Sequence, residues 1–145
     1  MMLRGIVFFG LLQVGGFGFD ALWHGLVHPE FEASTRAEMA AHLATVHLPL
    51  YVGVVGFLVA IERAVTWRAR RGLVGTPLMI ALGGAVLQVI GEAWHAWTHL
   101  RLAPEAMVPG LLSLTGFVIA LAALGVDWRR SRAQPEIRRR DRPAA

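Results

Sequence analysis

Four long apolar stretches, separated by short polar connections, set the pattern of this chain. They cover roughly residues 3–27, 38–61, 77–100 and 108–126. Each is close to the length of about 20 residues that an α-helix needs to cross about 30 Å of hydrocarbon. None alternates apolar and polar residues as a membrane β-strand does. The pattern predicts an all-α integral membrane four-helix bundle. A cleaved signal peptide fits the first stretch poorly, because its apolar run is long and passes through Asp20 and Trp23.

The connections punctuate these helices. Pro29 ends the first, and Ser34 or Thr35 can cap the second, with Glu38 placing negative charge in its first turn. Pro49 falls inside the second stretch, where a missing backbone donor and a clash with the preceding turn predict a kink near 45–49. Residues 62–75 read as a basic loop, and Pro77 sits at the start of the third helix. The stretch from 129 to 145 reads as a disordered basic tail.

Composition agrees with the pattern. The chain is 55% hydrophobic and only 17% charged, against about 25% charged in soluble domains. It has no cysteine, which excludes disulfides, thiolate ligands and a cysteine nucleophile. All 14 cationic side chains are arginine, so lysine Schiff-base chemistry is excluded as well. The net charge of +4 does not indicate nucleic acid, because the arginines flank apolar segments. Arg63, Arg68, Arg70 and Arg71 lie in the middle loop, and Arg129, Arg130, Arg132, Arg138, Arg139, Arg140 and Arg142 lie in the tail. The positive-inside rule therefore predicts that both termini and the middle loop are cytoplasmic. Ser34 and Ser113 have no nearby triad partners, and no phosphate-binding glycine loop is present.

The candidate chemistry lies at the opposite end. All six histidines (His24, His28, His42, His47, His95 and His99) fall where the first three stretches would face outward. Asp20, His24 and His28 are spaced i, i+4, i+8, and Glu92, His95 and His99 are spaced i, i+3, i+7, so each set shares a helix face. Gln13 and Gln88 extend these stripes inward. His42 and His47 are five apart, and only a loosened turn near Pro49 would bring both round; His47 better matches the carboxylates in depth. A carboxylate in hydrocarbon costs several kcal/mol, so two of them beside imidazoles call for a cation. The expected cofactor is a transition metal, either iron, copper or zinc, with room for two ions. Its ligands would be Asp20, His24, His47, Glu92, His95 and His99. His28 and His42 would stand at the entrance or orient the ligands, and Gln13 and Gln88 would hydrogen-bond the deeper ones. Glu92-x-x-His95 matches a spacing that metal-binding helical bundles use.

The strings GGFGFDALWHGLVH and VIGEAWHAWTH resemble the histidine-bearing helices of a family of small bacterial four-helix membrane proteins of uncharacterised function. The resemblance covers residues 10–28 and 88–99, and Gly15, Gly16, Asp20, His24, Glu92, His95 and His99 carry it. It implies a four-helix fold in a bacterial plasma membrane and no particular activity. The adjacent histidine pairs common in that family are absent from this chain.

The expected function is an outward-facing His/carboxylate metal site used for redox chemistry or metal handling. One alternative is a haem b electron carrier with His24 and His95 as axial ligands. Another is a non-enzymatic metal chaperone or an assembly subunit. The expected partners are the lipid bilayer, a hydrophobic small molecule or quinone, and further copies or a larger membrane complex. No nucleic acid is expected.

Overall fold

The computed structural model describes residues 2–103 and 107–140, with side chains described as far as residue 133. The chain is helical throughout its ordered elements. Helix α1 spans Met2–Leu22 and continues as one wide π-helical turn over Trp23–Val27. Helix α2 spans Arg36–Thr45, α3 Leu48–Ala69, α4 Thr76–Leu100 and α5 Met107–Arg140. Four of these segments are long and apolar enough to cross a membrane: 3–27, 48–69, 76–100 and 107–133. Their outward faces are apolar. Leu3, Phe8, Leu11 and Phe17 on α1 and Met107, Leu111 and Leu114 on α5 are all exposed, as lipid-facing side chains are.

The second apolar stretch differs most from the sequence expectation. It is not one helix over 38–61 but two, broken at Val46–His47. Pro49 is the cause. It lies in the first turn of α3, where its missing N–H leaves no bond unmade, and Val46 and His47 keep helical dihedrals across the break, as the expected kink requires. Thr35 fixes the start of α2 through a capping box: its Oγ1 accepts from Glu38 N at 3.2 Å, and Glu38 Oε2 accepts from Thr35 N and Ser34 N.

The crossing formed by α3 also continues through Glu62–Ala69, which the arginine-rich composition marked as loop. No glycine or proline interrupts that stretch, and Arg68 is held by Asp127 of α5 at 2.6 Å. Helix α5 likewise runs past 128 instead of giving way to a disordered tail. Alanine and arginine are good helix formers, and the Arg132 guanidinium stacks 3.8 Å from the Trp128 ring. The tail beyond Arg140 lies outside the described residues.

The four long helices form an arc in the order α1, α3, α4, α5, each packed on the next. Small residues set the spacing. A Cβ on Gly53 of α3 would overlap the Gln13 backbone of α1, and one on Gly91 of α4 would overlap the Ser113 backbone of α5. Phe57, Ile61, Leu78, Ala81, Ala85 and Ala120 fill the core between α3, α4 and α5. The arc does not close: among the described residues, no Cα of α1 comes within 8 Å of α5. The expected bundle is therefore open along one side.

Candidate metal centre

The C-terminal ends of α1, α2 and α4 and the N-terminal ends of α3 and α5 meet at one end of the molecule. The break between α2 and α3 governs the chemistry there. In a continuous helix, residues five apart point in different directions. Across the interruption at Val46–His47 the His42 and His47 rings nevertheless lie close, with centroids 5.0 Å apart. Opposite them, the wide turn after α1 carries His24. Its hydrogen bond from His28 N to Trp23 O spans five residues at 2.8 Å. Single π-turns of this kind recur at functional sites.

Asp20, His24, His42 and His47 bring one donor atom each to within 4.8 Å of one another. His47 Nε2 lies 3.2 Å from Asp20 Oδ1, and His24 Nε2 lies 3.5 Å from the same oxygen. His24 Nε2 and His42 Nε2 are 3.2 Å apart. A tetrahedral ion with ligands at about 2.0–2.1 Å separates neighbouring donors by about 3.3 Å, a spacing that these contacts can accommodate. Asp20 Oδ1 and His47 Nε2 are buried and close, yet neither completes a hydrogen bond. Three imidazoles and one carboxylate can hold a transition-metal ion.

Two of the imidazoles, His42 and His47, sit where burial disfavours their charged form. Burial pushes the His47 ring down to about 3, with the His42 ring acting the same way, and burial also lowers His42. Both are thus neutral donors at physiological pH. Aromatic neighbours fix their planes. Tyr51, one turn along α3, stacks on His47 with centroids 5.7 Å apart. Trp23 and Phe31 each pack on His42 at 4.7 Å. His42 and His47 are buried, whereas the His24 side chain is 41% exposed and forms the accessible edge of the site.

The remaining expected residues take other places. His42 was assigned to the entrance, but the helix break moves it into the donor set. His28 leaves the predicted stripe because the wide turn adds a residue before it. It ends the helix, is exposed, and rests on the Trp23 ring at 4.7 Å. His95 and His99 lie outside the four-donor group but beside it. Their Nε2 atoms are 3.0 Å apart, and both rings stand about 6 Å from His47, at 6.2 and 5.9 Å between centroids.

Glu92 is also outside the group, because Ser113 of α5 draws its Oε1 away with a 2.5 Å hydrogen bond. Gln13 and Gln88 bond each other at 2.8 Å, below the carboxylates, rather than bonding a ligand. Tyr51 and Ser113 went unassigned in the sequence. The i+4 spacing of Tyr51 from His47 is a usable signal, whereas nothing local marks Ser113. No family model, curated protein or solved structure matches this chain.

Proposed function

We propose that this chain is a membrane metal-binding protein. A single first-row transition-metal ion would be held by Asp20, His24, His42 and His47, at the end of the molecule that faces away from the cytoplasm. The observation that carries the reading is that His47 and His24 bring Nε2 atoms to 3.2 and 3.5 Å from one Asp20 oxygen, with the Asp20 and His47 atoms completing no hydrogen bond. A metal-free polar network would satisfy those atoms, because an unmet buried acceptor costs about 1–3 kcal/mol. The donor set suits zinc, iron or copper.

A compact ion fits better than haem. Bis-histidine haem needs two imidazoles on opposite sides of a porphyrin-wide slot, and His24 instead faces His42 at 3.2 Å. Metal exchange or transfer is the use that the exposed edge favours, since His24 can swing away while the three less exposed ligands keep hold. The neighbouring His95–His99 pair supplies the next donors on such a route, or ligands for a second ion. Redox chemistry remains the alternative use and would show as turnover by the loaded protein. The arginine-rich 63–71 segment and the run after 128 support placing both termini in the cytoplasm.

The test is metal titration of untagged, chelator-stripped protein in mild detergent. One ion per chain is expected for the parent and for His28→Ala. Asp20→Ala and His47→Ala should lose it while keeping their helical circular dichroism. Unchanged stoichiometry in both variants would overturn the assignment.

A further inference from the structure

The open side of the helix arc holds a second feature. Between α1 and α5 lies a cavity of about 480 Å³, a volume typical of small-molecule sites. Val14 and Phe17 of α1 wall one side, and Leu111, Leu114 and Phe117 of α5 wall the other. No Cα of α1 comes within 8 Å of α5 among the described residues, so the cavity lies in a gap between two helices whose outer faces are apolar and exposed.

Its inner surface is polar in a specific way. Gln13 and Gln88 are 2% and 4% exposed, and one hydrogen bond joins them. That bond uses Gln13 Oε1 and Gln88 Nε2, leaving Gln13 Nε2 as a donor and Gln88 Oε1 as an acceptor, both buried without a partner among the described residues. Glu92 Oε2 is a third such atom. Exchanging the amide assignments still leaves one donor and one acceptor. Buried polar groups in an apolar setting are costly unless something meets them. A plain acyl chain meets none of them, and a carbonyl meets only the donor. A hydroxyl meets both, because it donates and accepts.

We propose that this cleft binds a lipid-soluble ring alcohol of the phenol or hydroquinone class, entering from the bilayer between α1 and α5. Its hydroxyl would sit on Gln13, Gln88 and Glu92, and its ring and tail between Phe17, Leu114 and Phe117. Asp20 and His47 line the same cavity, so the bound head would lie next to the proposed metal centre. The binding itself does not depend on the metal.

The test uses decylhydroquinone and its dimethyl ether, titrated into metal-stripped protein in lipid nanodiscs. The hydroquinone is expected to bind one to one, and the ether at least 10-fold more weakly, since it cannot donate. Gln88→Met should weaken the hydroquinone similarly. Gly110→Phe offers a second arm. Gly110 lines the cleft, and a Cβ there meets nothing within 4 Å, so a Phe ring directed into the cleft should abolish binding, with unchanged helical circular dichroism as the check on folding. Equal affinity for hydroquinone and ether, or unchanged binding in Gly110→Phe, would overturn the proposal and leave an apolar groove covered by acyl chains. Stripping the metal first keeps this outcome separate from the fate of the metal site.

Discussion

His28 and His42 both touch the Trp23 ring, at 4.7 Å each, yet only His42 offers its nitrogen to the donor set. Their neighbours decide the difference. His42 is buried between Trp23 and Phe31, while His28 ends a helix in exposed surroundings. Spacing alone ranked the two together. It singled out Asp20, His24 and His47, which the fold brings together with His42, because a carboxylate and imidazoles in apolar segments are costly wherever the backbone goes. It also put Glu92 among the ligands, and could not foresee that Ser113, on a different helix, would engage that carboxylate. Long-range partners leave no trace in local periodicity. The structure therefore makes a prediction opposite to the spacing argument. In the same metal titration, Glu92→Gln should keep the affinity within about 10-fold, the low end for groups around a metal's ligands, whereas His42→Ala should lose at least 100-fold.

At the level of elements, the four helices long and apolar enough to cross a membrane were legible because length and apolarity are additive properties of a segment, readable without knowing the fold. Their boundaries were less so. The basic stretch from Glu62 to Ala69 and the run after Trp128 read as loop and tail by composition. Helix propensity, the Arg68–Asp127 pair and the Arg132–Trp128 stack keep them helical instead. Pro49 signalled the disturbance that parts α2 from α3. By separating α2 from α3 it allows His42 and His47 to converge despite their spacing. Replacing it restores the donor that a continuous helix needs. Pro49→Ala is expected to let α2 and α3 fuse, turn His42 off the site and weaken metal binding at least 10-fold, with helical content unchanged or slightly raised. Circular dichroism alongside the titration checks both halves. Unchanged affinity would mean that the break has another origin.

The whole molecule is an arc of helices whose two ends differ in kind. One end is tied by Arg68–Asp127 and flanked by arginines, and the other gathers the histidines. If the positive-inside rule sets the orientation, reporter fusions at the N- and C-termini should both report cytoplasm, and one at Glu32 in the first connection should report the outside. Such an orientation would expose the metal edge at His24 to the extracytoplasmic side while the open flank of the arc faces lipid. The most direct test of the central claim is X-ray absorption of the untagged protein loaded with one equivalent of zinc. The account predicts four nitrogen or oxygen neighbours at about 2.0 Å, with outer-shell scattering from three imidazoles falling to two in His42→Ala. A coordination shell without imidazole scattering, or one identical in the parent and His42→Ala, would contradict it.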